Sequence, residues 1–289
     1  MVHDGAMTEP SELLAIARGL AQEVGEMIVR ARTGDVTVAT TKSSDIDPVT
    51  AIDIAAERLL RERLAALRPD DAVLGEEGVD TAGTSGVTWV LDPIDGTVNY
   101  LYGLPHYSVS VAAVSGSADP HAWTAEAGAV FEGGTGRLYS AGRGLGAWIR
   151  EPGGEAARIE PRPGPILSRS LLGTGFQYVA ERRALQGAVV ARMLPQVRDI
   201  RRLGSCALDL CYVAAGNLDA YYEHGLNPWD FAAGALVARE AGVRVEGWDG
   251  APPDPSFAMA ARPETFEALH EALSGAGART MWATPKIGV

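Results

Sequence analysis

Apolar residues at Leu13, Leu14, Ala17, Leu20, Val24, Met27 and Ile28 recur at helical spacing, which predicts a helix over residues 11–33 with Ser11 able to cap it. The polar stretch 33–47, with Gly34 and paired serines, reads as a loop, and a second helix follows over 49–67, stopped by Pro69. Short apolar runs at 72–74, 87–91, 107–114, 125–131 and 136–140 then read as strands. Their glycine-rich connections, among them Gly142-Arg143-Gly144-Leu145-Gly146, suit the hairpins of an antiparallel sheet. Residues 150–165, rich in Pro, Gly and Glu, read as an exposed connection.

The second half alternates. A strand is expected over 166–172, helices over 180–194 and 205–215, and a strand over 219–222. Asn227 and Pro228 then stand as cap and first residue of a helix that runs to Glu240-Ala241-Gly242. Strands at 243–245 and 257–260 and a last helix after Pro263 complete the chain. Sheets and helices in this mixture predict an α+β fold of packed layers, and with no repeat or sharp break in composition, one domain over residues 1–289.

Composition narrows the chemistry. With 46% apolar and 21% charged residues in 289, the chain has ordinary globular usage and enough apolar material for a buried core. The net charge of −12 argues against a general nucleic-acid or anionic-membrane surface. An acidic protein that takes an anionic ligand needs a local positive centre, and a divalent metal is the simplest one. The two cysteines, Cys206 and Cys211, would sit on different faces of one helix and read as buried thiols. No secretory signal is visible, since Glu9 and Glu12 precede the apolar run at 13–20, and no stretch approaches the ~20 apolar residues of a membrane span. A soluble cytoplasmic protein is expected.

The densest chemistry is Trp89-Val90-Leu91-Asp92-Pro93-Ile94-Asp95-Gly96-Thr97, an apolar strand that runs into two acids, a proline and a glycine. Asp92 and Asp95 are close enough in sequence to face one point, and hard cations such as Mg²⁺ prefer such all-oxygen surroundings, to which the Ile94 carbonyl could contribute. Gly96 permits close backbone approach, and N–H groups of Gly96 and Thr97 at the start of a helical turn would cradle a phosphate. Asp-Pro and Asp-Gly pairs alone would only make turns. Gly75-Glu76-Glu77-Gly78 also ends an apolar strand, and Trp229-Asp230 opens a capped helix, where the helix dipole alone would explain the acid. The three segments gain meaning together.

Together they resemble the inositol monophosphatase family of lithium-sensitive, Mg²⁺-dependent phosphatases. The resemblance rests on Lys42-Ser43-Ser44, Val49-Thr50-Ala51-Ile52-Asp53, Gly75-Glu76-Glu77, the stretch 89–100, Pro105 to Val111, Gly204-Ser205, Asp219-Ala220-Tyr221-Tyr222-Glu223 and Trp229-Asp230-Phe231-Ala232-Ala233-Gly234, and spans roughly residues 11–270. It implies a five-layer αβαβα sandwich of the inositol monophosphatase and fructose-1,6-bisphosphatase type, a homodimer, and two to three Mg²⁺ per site. Glu76, Asp92, Asp95 and Asp230, with the Ile94 carbonyl, match the metal ligands. Glu77 and Asp53 match acids behind them, and Thr97, backed by Asp53, matches the hydroxyl that with Glu76 aims the nucleophilic water. Gly96 and Thr97 match the phosphate-binding amides; Glu223, Cys206 and Asp230 fall on the substrate side; Lys42 belongs to a mobile loop over the metals.

The implied reaction is hydrolysis of inositol 1-phosphate by metal-activated water, with no covalent phosphoenzyme. Val98-Asn99-Tyr100 after Gly96-Thr97 favours this branch over phosphatases of histidinol phosphate, fructose 1,6-bisphosphate, NADP(H) or adenosine 3′,5′-bisphosphate. Cys206, where animal relatives carry a small residue, and Asn227-Pro228, in place of a His-Cys pair, both fall on the substrate side and loosen the assignment of one isomer. A nucleotide-dependent kinase would need a phosphate loop ending in Lys-Ser/Thr, which is absent. A partner-binding role in transcription, as in some bacterial relatives, would add to catalysis, because every family acid is present.

Overall fold

The computed structural model describes residues 9–32, 38–41, 48–117 and 119–282. Helix α1 (Pro10–Ala31), the short strands β1 (Val38–Thr41) and β2 (Pro48–Thr50), and helix α2 (Ala51–Leu67) come first. Strands β3 (Ala72–Gly75) and β4 (Val87–Asp95) lead to the single-turn helix α3 (Thr97–Leu101). Five more strands follow: β5 (Ser108–Gly116), β6 (Trp123–Glu132), β7 (Leu138–Gly142), β8 (Gly146–Arg150) and β9 (Ala156–Arg158). The second half holds β10 (Leu171–Thr174), α4 (Ala180–Met193), β11 (Asp199–Arg201), α5 (Cys206–Ala215), β12 (Ala220–Glu223) and α6 (Pro228–Glu240). It ends with β13 (Arg244–Glu246), β14 (Ala258–Ala261), α7 (Pro263–Gly275) and α8 (Ala278–Trp282).

Strands β3 to β9 form one seven-stranded sheet in sequential order, antiparallel except where β3 runs parallel to β4. A five-stranded sheet has the order β11-β10-β12-β14-β13. Period-2 alternation divides their side chains between faces. On β4, Trp89 and Leu91 pack with Leu13, Leu20 and Val24 of α1 and Leu60 and Leu64 of α2, whereas Val90 points into the core around α5 and α6. On β14, Ala258 and Ala260 join that same central core, and Met259 and Ala261 pack with Val189 of α4 and Leu269 and Leu273 of α7. The layers are therefore helices, sheet, helices, sheet, helices: an α+β sandwich with α5 and α6 as the shared middle.

Burial on both faces explains why β4 and β5 read as near-continuous apolar runs. The middle helices are lined with small residues, Ala207, Ala232, Ala233 and Ala235, so two sheets can close on one thin helical layer. Among the described residues, no helix is long and apolar enough to cross a membrane.

Four local expectations change. β4 does not stop at Leu91; it continues through an irregularity in register until Asp95 pairs opposite Ser108, so both acids are strand residues. Residues 150–165 contain β9, whose exposed Ala156, Ala157 and Arg158 pair with β8 through backbone and carry no apolar signal. Over 166–172 a 3₁₀ turn at Leu167–Arg169 precedes β10, and β11, only three residues with charged Asp199 and Arg201, was invisible to hydrophobic patterning. The stretch 33–47, read as loop, includes β1, paired with β2.

Candidate active site

The N-terminus of α2 supplies the first component. Thr50 caps the helix: its hydroxyl oxygen accepts from the N–H groups of Ile52 (3.2 Å) and Asp53 (3.3 Å), and Asp53 Oδ2 accepts the Thr50 N–H at 2.9 Å. The Thr50 hydroxyl also donates to that oxygen. Locked by its own capping box, Asp53 turns Oδ1 to the Thr97 hydroxyl, 3.2 Å away. The same hydroxyl lies 3.0 Å from the Ile94 carbonyl oxygen, so its one proton has two competing acceptors.

The end of β4 supplies the next. Asp92 is 1% exposed, and its Oδ1 accepts the Ile94 N–H at 3.1 Å. Asp95 reaches the middle layer: its Oδ2 accepts the Ser205 hydroxyl (2.6 Å) and the Ala207 N–H (2.8 Å), capping α5 from outside. Asp230, third residue of α6, closes back on its own helix start, accepting the Asn227 N–H at 2.6 Å. Glu76 follows β3, and its carboxylate stands near enough to Asp92 to act on it. Helices α5 and α6 thus both begin at these acids.

Burial and mutual repulsion decide the electrostatics. The Asp92 carboxyl is pushed well above the usual carboxylate range, by burial first and then by Glu76, Asp95 and Asp230. Burial likewise raises Asp230, reinforced by Asp95 and Glu76. Asp95 is raised by burial to about 6, with the bonds from Ser205 and Ala207 acting against the rise. Such a set is ionised comfortably only with a cation among it, and its donors, carboxylates plus the Ile94 carbonyl, suit a hard divalent ion. Among the described residues no three of these side chains meet at one point, because Asp95 and Asp230 are turned to the helix starts they cap. They share a cavity.

That cavity, of about 400 Å³, is lined by Glu76, Asp92, Ile94, Asp95, Gly96 and Thr97 on one side and by Cys206, Glu223, Asn227 and Asp230 on the other. Gly96 has φ of +91°, and a Cβ there would stand 2.9 Å from the His106 carbonyl oxygen and 3.0 Å from that of Gly204, so only glycine fits. Glu223 is held by the Tyr221 hydroxyl, 2.7 Å from its Oε2, and burial raises its carboxyl. Cys206 and Cys211 are free and buried on α5; burial pushes both thiols up, so neither is a nucleophile near neutrality. Lys42 lies outside the described residues.

Several contributors were missed in the sequence. Glu57 accepts the backbone N–H groups of Glu77 and Gly78. Asn99 donates to the carbonyls of His106 (2.6 Å) and Leu203 (2.7 Å), tying α3 to the approach of α5. Phe176, Gln177 and Tyr178, after β10, and Arg202 complete the wall. Asn99 stands inside the matched stretch 89–100, where only its tie to residues 106 and 203 went unread, and Glu57 stands one turn from Asp53, the one signal that could have found it; nothing local marks residues 176–178.

The sequence profile of the inositol monophosphatase family matches residues 9–278. The inositol-1-monophosphatase of Mycobacterium leprae is 48% identical, over 92% of this chain and 94% of its own. The solved structure of Mycobacterium tuberculosis SuhB superimposes with a TM-score of 0.79 at 44% identity, covering 94% of this chain and 99% of that one. A protein named Nus factor SuhB, from Pasteurella multocida, is 38% identical over 82% of this chain and 86% of its own. The fold, the acids gathered on one cavity and these similarities agree: the chain is a phosphatase of the inositol monophosphatase family.

Proposed function

We propose that this phosphatase hydrolyses inositol 1-phosphate with Mg²⁺, two to three ions per site, as a cytoplasmic homodimer. The observation that carries the reading is the single cavity onto which Glu76, Asp92, Asp95 and Asp230 open beside Gly96 and Thr97. Glu76, Asp92, Asp95, Asp230 and the Ile94 carbonyl would hold the cations. Bound there, Mg²⁺ supplies charge neutralisation for the phosphate and a water acidic enough to act as nucleophile at neutral pH.

The chain's own part is orientation. With its hydrogen bond directed to Asp53 rather than to the Ile94 carbonyl, the Thr97 hydroxyl would keep its lone pairs free to accept a hydrogen bond from the attacking water, and Glu76 would accept the other. The N–H groups of Gly96 and Thr97, at the start of α3, would hold the phosphate oxygens. Glu223, fixed by Tyr221, would accept hydrogen bonds from the hydroxyls of the alcohol, beside Cys206.

Phosphate release from inositol 1-phosphate, measured with and without Mg²⁺ for the wild type and Asp95→Asn, tests this. Release that needs Mg²⁺ and is lost in the variant supports the reading; metal-independent release, or full activity in the variant, overturns it. Histidinol phosphate, fructose 1,6-bisphosphate and NADP⁺ in parallel rank the alcohol. Similarity to a Nus factor supports an added partner-binding role in transcription, but 48% identity to a named phosphatase against 38% puts hydrolysis first.

A further inference from the structure

Glu57 lies four residues after Asp53 on the same face of α2 and is 2% exposed. A buried carboxylate needs partners, and this one is met from two directions. Its Oε2 accepts the Glu77 N–H at 2.6 Å and its Oε1 the Gly78 N–H at 2.8 Å, while Arg61, one turn on, donates its Nε to Oε1 at 2.7 Å. Both amides belong to the residues that directly follow Glu76.

The loop is fixed at its base as well. Val73 and Thr81 exchange both backbone hydrogen bonds at 2.9 Å, so residues 75–80 leave β3 and return to it. Within that closed loop, a Cβ on Gly75 would stand 2.5 Å from Glu57 Oε1 and one on Gly78 2.6 Å. A side chain at either glycine that brackets Glu76-Glu77 would therefore push against the Glu57 carboxylate and the Arg61 guanidinium that holds it. One rigid helix face holds Thr97 through Asp53 and the Glu76 loop through Glu57.

We propose that Glu57 is a positioning residue for the metal site: by clamping the Glu77 and Gly78 amides it sets where Glu76 stands relative to Asp92. The proposal rests on the phosphatase reading, since it takes Glu76 as a metal ligand. Partners that hold a ligand in place typically change metal affinity about 10- to 100-fold when removed. A buried acid that merely stabilised the fold would not.

The test uses the full chain and Mn²⁺ as probe, counting free ion by electron paramagnetic resonance, with amide exchange of residues 75–81 measured on the metal-free protein. Glu57→Gln keeps the shape but gives up the charge and one of the two acceptor oxygens. The control is Glu126→Gln, a buried acid of β6 that holds Ser115 and Arg143 and stands outside the metal-binding cavity. The expected result for Glu57→Gln is Mn²⁺ affinity weaker by about 10- to 100-fold and faster exchange at Glu77 and Gly78, with neither change in Glu126→Gln at a comparable loss of Tm. Wild-type affinity in Glu57→Gln, or an equal loss in both variants, overturns the proposal alone. A wild-type chain that binds no Mn²⁺ overturns the metal-site reading and the proposal with it.

Discussion

Thr97 Oγ1 stands 3.2 Å from Asp53 Oδ1, across 44 residues of sequence, and Asp53 is held from behind by the start of its own helix. The pair therefore acts as one unit, with Asp53 drawing the Thr97 proton away from the Ile94 carbonyl. Thr97→Ala and Asp53→Asn should each lower kcat by about 10²- to 10⁴-fold with little change in KM, and Thr97→Ser should retain most of the activity. The double variant should be no slower than the slower single one, because either change breaks the same unit. Steady-state kinetics on inositol 1-phosphate decide it; additive losses would mean two independent roles.

Gly96 joins the strand that carries the acids to helix α3, in a backbone conformation that penalises any side chain and beside two carbonyls that leave no room for one. Gly96→Ala should destabilise the chain by about 1–3 kcal/mol in urea unfolding and depress kcat further than that loss explains. Wild-type kcat in the alanine variant would remove the close approach from the mechanism.

His224 is buried against Phe257, with ring centroids 4.8 Å apart, and its Nε2 lies 3.1 Å from the Ala278 carbonyl. Burial lowers its pKa from 6.5 to about 4. Between those values the unfolded chain binds a proton that the folded chain refuses, so the stability present above pH 6.5 falls as pH drops, by about 3 kcal/mol once pH 4 is reached. Unfolding free energies of wild type and His224→Gln across that window should converge toward acid; parallel curves would contradict the assignment.

Arg262, 3% exposed, donates to the Ala214 carbonyl at 2.8 Å and to the Ala241 carbonyl, so a single guanidinium closes the far ends of α5 and α6. Arg262→Met leaves both acceptors buried without their donor and should cost about 2–4 kcal/mol. Because the change lies at the opposite ends of these helices from the acids, KM for Mg²⁺ should stay within about twofold, a margin below 0.5 kcal/mol. A large change in KM would show that the helices transmit strain along their length.

The acids were legible because strands that end in paired carboxylates and a capped helix that opens with one are local patterns, and Asp92, Asp95 and Asp230 all line one cavity, Asp92 fully buried. Their engagement was not legible. That Asp95 caps α5 through Ser205 and Ala207 is a relation across more than a hundred residues, and no spacing rule reaches it. Nor does any local pattern separate Glu57 from the other acids of α2; what it serves is the backbone of residues 77 and 78, twenty and twenty-one positions away. Similarly, α1 was readable from its periodicity, whereas β9 and β11 owe their place to backbone pairing with neighbours and have no side-chain pattern to find.

The middle helical layer begins at the cavity and both sheets lean on it. An ion or phosphate taken up there therefore binds the folded chain and has no counterpart in the unfolded one, so occupancy and global stability are thermodynamically linked. Saturation at a hundred times Kd adds about 2.7 kcal/mol. The chain becomes its own sensor of metal and substrate: a shift in Tm reports binding even for an inactive variant, and ranks ligands without any turnover.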